Sequence, residues 1–440
     1  MEMDDNKINL LYIKLINNKN DTKIISSICL SINDIMQKYK IRMDNVCNIM
    51  PILLNRWINN SDMIGNICIT ITHLSLNIDN RTRLNNILPN ILIILGKWKN
   101  NTYVIINACV AFSNLVLDTN YNFTKIYQLL VQILKEWVDN ELMNCAICNA
   151  ISNMNYNYID INVIYPILII NLTKWINNSD IINCTCIIID KFADKYKMDS
   201  ICQYIDTILI VHNTDVVIIA TTCNILAKLT LYDYHRMELF KICPILPLIT
   251  IYYINNAYIT SSICDIITNL SIDDKYMEIM IEMTYIFPQI IDKWIDNANI
   301  IEKICNVIAK LSKNEYNQKK LENVCQYMER ILYKWMNNAK VIEKACYAVS
   351  NLSYNNKNNM IIMKDINKLM PILLRNWIEN ENVVIKVCLV ISKLIYCDVD
   401  NTNNIDRMLA NTFTKWMNNE KVSKIVLFAI EKFKNTELFI

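Results

Sequence analysis

Three markers in one register predict that this 440-residue chain is all-α, a right-handed α-solenoid of about eleven repeats of about 40 residues each. The first is a cysteine followed by apolar residues three and six positions on and by a polar residue five on. It recurs at Cys29, Cys68, Cys109, Cys148, Cys186, Cys223, Cys264, Cys305, Cys346 and Cys388, and Leu427 takes its place in an eleventh copy. The second marker stands eleven residues earlier: Trp57, Trp98, Trp137, Trp175, Trp294, Trp335, Trp377 and Trp416, with Asn18, His212 and Tyr253 in the other three copies. The third is proline, at Pro51, Pro247, Pro288 and Pro371 six residues before the Trp position and at Pro89, Pro166 and Pro244 nine before it.

The markers assign the elements of one repeat in order. Proline is tolerated in a helix's first turn, so all seven are expected to open the helix that the Trp position ends. Three residues after each Trp stands Asn, for example Asn60, Asn101 and Asn338, with Asp215 as the exception after His212. With Gly65 and Gly96 the only glycines, this Asn is expected to make the left-handed turn out of the helix. The next helix carries the cysteine; in 102–116 apolar Ile105, Cys109, Phe112 and Leu115 form one stripe. The residue six after the cysteine, from Ile35 and Leu74 through Leu394 to Phe433, is expected to form a continuous core row. About ten polar-leaning residues follow, such as those from Asn77 to Asn86, readable either as a short third helix or as a loop. The repeats run 8–39, 40–78, 79–119, 120–157, 158–196, 197–233, 234–274, 275–315, 316–356, 357–398 and 399–440, within a single domain over 1–440.

Composition narrows the function. A formal net charge of +2 leaves no whole-chain footprint for nucleic acid. No apolar run is long enough for a membrane helix, and Met1 to Tyr12 is too polar for a signal peptide. The cysteines, an odd 17, read as reduced buried thiols, which places the protein inside a cell, in the cytoplasm, the nucleus or a host cytoplasm if viral. Abundant Ile, Asn, Lys and Tyr suggests an AT-rich source such as a large DNA virus or a protist. Cys145 with Cys148 falls within one helix, Cys184 with Cys186 belongs to the neighbouring repeat, and the three histidines lack metal-ligand spacing, so no zinc site or other cofactor is expected. Neither His73 nor His235 has a nucleophile constellation around it, and two glycines build no phosphate loop, so the reading is non-enzymatic with no small-molecule substrate.

The segments Ala111 to Leu115, Ala150 to Met154 and Ala348 to Leu352 resemble the Ala-x-Ser-Asn-x segment of armadillo repeats, importin alpha among them; HEAT repeats are the plainer alternative. The resemblance spans about residues 16–436. It implies a concave groove lined by the cysteine helices, in which Asn114, Asn153, Asn269 and Asn351 clamp the backbone of an extended peptide. His73, Lys191, Lys228, Lys310, Lys393 and Lys432 occupy the same register. Importin-type grooves also carry a Trp four residues before the Asn; here only Tyr347 offers a ring at that position.

The register also speaks through its own chemistry. Helices 8 to 10 Å apart meet roughly every third residue of an extended chain. An Asn amide donates to C=O and accepts from N–H, and Lys suits a carboxylate or phosphate, so the ligand expected is an extended acidic or polar protein segment rather than a basic one. The alternatives are a structural scaffold, in a viral assembly or another, acting through its convex face or ends, and an importin-like transport adaptor. The sequence leaves oligomeric state open.

Overall fold

The computed structural model describes residues 5–118, 121–394 and 402–437, and these are helical with no strand among them. They form two compact units, Met1–His212 and Asn213–Ile440. In the first, cysteine helices Thr22–Tyr39, Ser61–Leu74, Thr102–Leu115, Glu141–Asn153 and Ser179–Asp190 pack each against the next. In the second the series is Val216–Leu229, Ala257–Leu270, Ala298–Leu311, Ala339–Leu352, Glu381–Leu394 and Glu420–Glu437.

The expected core row is buried throughout, from Ile35, Leu74, Leu115 and Met154 to Leu352, Leu394 and Phe433. The ten register cysteines are buried too. Burial pushes the Cys109 and Cys305 thiols up, and Cys68 and Cys264 of the preceding repeats add to it, so the cysteine register is where one repeat meets the next. Leu427 departs from the pattern at 41% exposure, because among the described residues no further cysteine helix covers that side. Every described cysteine is a free thiol, and only Cys145 is not fully buried.

The turn after the Trp position is built differently from expectation. Asn60, Asn178 and Asn338 have φ of −117°, −96° and −115°, which is extended and not left-handed backbone. Each caps the start of the cysteine helix: Asn60 Oδ1 accepts from the Met63 N–H at 3.0 Å, and Asn178 from Ile181 at 3.0 Å. Asp215 substitutes freely because a carboxylate caps equally well, accepting from Val217 and Ile218. Among the described residues the left-handed non-glycine ones are instead Lys40 and Asn355.

The prolines are also divided. Pro89, Pro247, Pro288 and Pro371 do stand in a first helical turn. Pro51 and Pro166 instead lie inside helices Asp44–Arg56 and Ile161–Lys174, and Pro244 precedes Leu246–Tyr252. In the two interior cases the helix extends further back, so proline marks a bend-tolerant position rather than a start.

The polar connector is a short helix at Ile78–Leu84, Asp233–Leu239, Asp274–Met280, Glu315–Lys320 and Lys357–Ile362, which resolves the choice left open between helix and loop. An Asn-x-x-Asn pair makes this corner without glycine. Asn77, Asn314 and Asn356 cap the connector helix. Buried Asn80, Asn317 and Asn359, three residues later, donate back to the carbonyls of Leu74, Leu311 and Leu352 at 2.8 to 3.1 Å, at the end of the cysteine helix where carbonyls have no partner within the helix.

Candidate functional site

The aromatic register is a ladder between repeats. Every Trp N–H but that of Trp57 reaches the carbonyl of the residue that follows the previous repeat's aromatic position: Trp98 to Ile58 at 3.1 Å, Trp137 to Lys99 at 3.2 Å and Trp175 to Val138 at 3.0 Å. The second unit repeats it with Trp294 to Ile254, Trp335 to Ile295, Trp377 to Met336 and Trp416 to Ile378. The two substitutions keep the bond, since His212 Nε2 lies 2.7 Å from the Ile176 carbonyl and Tyr253 Oη donates to Asn213 at 2.7 Å. The carbonyl is available because the Trp-x-x-Asn turn ties up only the Trp carbonyl itself, as when the Asn101 N–H donates to Trp98. The Trp rings are half-buried, so they staple one edge of the stack rather than fill its core, while His212 and Tyr253 are buried.

The candidate groove residues lie in the last turns of the cysteine helices or immediately after them, and all are half-buried: His73, Asn114, Asn153, Lys191, Lys228, Asn269, Lys310, Asn351, Lys393 and Lys432. The four asparagines also hold the preceding repeat. Asn114 Nδ2 donates to Ser75 Oγ at 3.0 Å, Asn153 to Ser113 Oγ at 2.7 Å, Asn269 to the Ala227 carbonyl at 3.0 Å and Asn351 to the Ala309 carbonyl at 2.8 Å. Lys191 does the same with the Met154 carbonyl. Lys191 can stand in the asparagines' register because, like them, it donates to the C-terminal end of the helix behind it. An Asn amide retains its Oδ1 for a ligand N–H; much of its donor capacity already serves the fold.

The chemistry of this face changes along the chain. Helix Thr102–Leu115 carries no charged residue, and its polar groups, with those of Glu141–Asn153, are mainly Asn107, Asn114, Asn149 and Asn153. Helix Ala298–Leu311 contributes Glu302, Lys303 and Lys310, Ala339–Leu352 Glu343 and Lys344, and Glu381–Leu394 Lys386 and Lys393. Tyr347, the one ring at the importin-type position, is already covered, with Lys386 Nζ 4.0 Å from its centroid. Burial holds the Lys386 ammonium below its ordinary value. A cation of this chain thus sits where a basic ligand side chain would stack.

One sequence signal went unread. Gly65 lies under the Tyr103 ring of the next repeat, where a Cβ would overlap the ring atoms, and Tyr103 Oη donates to Asn66 Oδ1 at 3.0 Å. A glycine in mid-helix and a tyrosine 38 residues on were the available clue. Among the described residues no cluster of His, Cys, Asp and Glu is placed to hold a metal, and no helix is long and apolar enough to cross a membrane.

No protein-family model matches the sequence, and no curated protein matches it. Among solved structures, a chain from work on a phosphorylation switch controlling the interaction between cadherin and beta-catenin is similar at a TM-score of 0.70 and 12% identity, covering 97% of this chain and 94% of that one. Computationally designed armadillo repeat proteins for modular peptide recognition are similar over 50% of this chain and 96% of theirs, at 18% identity and a TM-score of 0.41. The likeness is one of fold: an all-α solenoid of armadillo-type repeats.

Proposed function

We propose that the chain is a non-enzymatic adaptor that holds an extended acidic or polar segment of a partner protein against its cysteine helices, in the cytoplasm or another reducing intracellular compartment. What carries the reading is the row itself: one half-buried polar side chain per repeat, at one register of stacked helices. Lys228, Lys310, Lys393 and Lys432 supply cations along the second unit's row, while the Asn-rich helices of the first unit offer neutral acceptors to a peptide backbone. Lys386 over Tyr347 disfavours a basic, importin-type cargo. Fluorescence anisotropy with a disordered Glu- and Ser-rich peptide tests the reading. Lys228→Glu with Lys310→Glu should weaken binding by about tenfold or more, an effect that shrinks with added salt; undiminished binding would remove the row as the site.

The scaffold reading draws on a different observation. Five residues before the aromatic position, the proline helices expose Ile52, Ile93, Leu248 and Ile372, at 56%, 53%, 69% and 41%. Sedimentation velocity decides its self-associating form: stable oligomers that dissociate on Ile→Ser changes at these positions support it.

A further inference from the structure

Five residues before the aromatic position, the first unit adds Ile13 and Ile170 to Ile52 and Ile93, all four 39 to 56% exposed, with Gln132 the single interruption before the row ends at Thr207. On helix Asp44–Arg56 the residues Val46, Met50, Leu53 and Leu54 are buried, so Ile52 stands on the side turned away from the core. The helices that carry the isoleucines and Gln132, Asp5–Asn17, Asp44–Arg56, Leu88–Lys97, Thr124–Trp137 and Ile161–Lys174, pack each against the next. Axes about 8 to 10 Å apart leave the isoleucines standing singly rather than as one cluster.

One turn beyond the isoleucine stands an exposed cation: Arg56 after Ile52, Lys97 after Ile93 and Lys174 after Ile170. Residues four apart lie one above the other on a helix, so each pair sets a charge beside an aliphatic tip. Over the five helices seven basic residues stand against three acids, Asp5, Asp44 and Glu136. Asp44 is engaged by Arg42 and Arg83, and Glu136 by Lys99, cations from outside these helices. Lys174 meets Asp139, and Lys97 the neutral Asn59. Lys14, Arg56, Lys125 and Lys135 have no carboxylate partner among the described residues. The second unit lacks the pairing: its register reads Leu248, Gln289, Arg330, Ile372 and Asn411, and Tyr252 and Asn376 follow its two aliphatic residues.

We propose that this proline-helix face of the first unit docks on an anionic membrane surface. The cations match the charge of such a surface. The isoleucines enter it one at a time, since a fluid interface needs no preformed pocket opposite each side chain, whereas a folded protein partner does. Nucleic acid would engage the cations and leave the isoleucines in water. The contact is peripheral, as no described helix is long and apolar enough to cross a membrane, and it uses none of the groove residues.

Co-sedimentation of the full chain with lipid vesicles tests it. Phosphatidylcholine vesicles containing one-fifth phosphatidylserine are expected to bind about tenfold or more tightly than phosphatidylcholine alone, and added salt should weaken that binding. Arg56→Gln with Lys97→Gln should lower it by about tenfold or more, as should Ile52→Ser with Ile93→Ser, whereas Ile372→Ser in the second unit leaves it unchanged. All these sites are exposed, so the variants keep the fold. The proposal is overturned if both vesicles bind alike or neither binds. It is overturned also if the isoleucine pair binds as wild type, the result for a merely basic surface that serves an acidic protein or nucleic acid. Dissociation of a stable oligomer by the same pair would overturn it too, giving the row to a second copy of the chain.

Discussion

Replacing Trp98 and Trp57 separately by Phe isolates the value of the hydrogen bond between repeats. Trp98 Nε1 donates to the Ile58 carbonyl at 3.1 Å, whereas Trp57, one repeat earlier in the same unit and register, has a buried Nε1 with no partner among the described residues. Both rings are half-buried, so both changes forfeit similar apolar contact, about 0.5 to 1 kcal/mol at about 25 cal/mol per Å². Trp98→Phe also loses a net hydrogen bond worth about 1 kcal/mol, while Trp57→Phe removes an unsatisfied donor and loses no bond. Trp98→Phe should therefore be the more damaging by about 1 kcal/mol or more. Native-state hydrogen exchange of the amides in Ser61–Leu74 and Thr102–Leu115 reads this locally, without assuming two-state unfolding of a repeat array. Equal effects, or a larger one at Trp57, would refute the ladder as a source of stability.

Gly65→Ala should be close to neutral in wild type, since a helix-propensity gain of about 1 kcal/mol meets the displaced Tyr103 ring; in a Tyr103→Ala background the same change should stabilise by about 1 kcal/mol, as chemical denaturation can show. Asn153→Ala should cost about 1 kcal/mol, read as a lowered melting temperature, because its amide holds Ser113; an unchanged melting temperature would mean the amide is free for a ligand. Burial raises Cys68, Cys223 and Cys388 from 9.0 to about 12, so the fold retains protons that the unfolded chain gives up. Stability from these thiols is full below pH 9 and should fall as pH rises from there toward about 12, measurable as a declining denaturation midpoint. Among the described cysteines, native thiol labelling should begin at half-buried Cys145 and reach the rest only on unfolding.

The fold was legible because a solenoid repeats its instructions: a residue constrained by stacking, such as the cysteine or the apolar residue six beyond it, recurs at one period. Asn after Trp was legible as a turn and misassigned within it, because asparagine favours both a left-handed end and a helix N-cap, and only the backbone angles separate the two. The connector remained open since its signal, Asn-x-x-Asn, lies in two polar residues whose partners are carbonyls of the preceding helix. The groove register was found, but its work for the fold was hidden: the acceptors of Asn114, Asn153, Asn269 and Asn351 lie about 40 residues upstream, at positions that periodicity alone does not mark as acceptors. His212 and Tyr253 read as gaps in a Trp pattern until their shared hydrogen bond showed what the pattern conserves in chemistry.

A photo-crosslinking amino acid placed at Lys310, and in a second protein at Ile372 on a proline helix, tests the central claim most directly. With the labelled Glu- and Ser-rich peptide, the account predicts a crosslink from position 310 that unlabelled peptide competes away, and none above background from position 372. A crosslink from position 372 with none from 310 would contradict it and place binding on the proline helices.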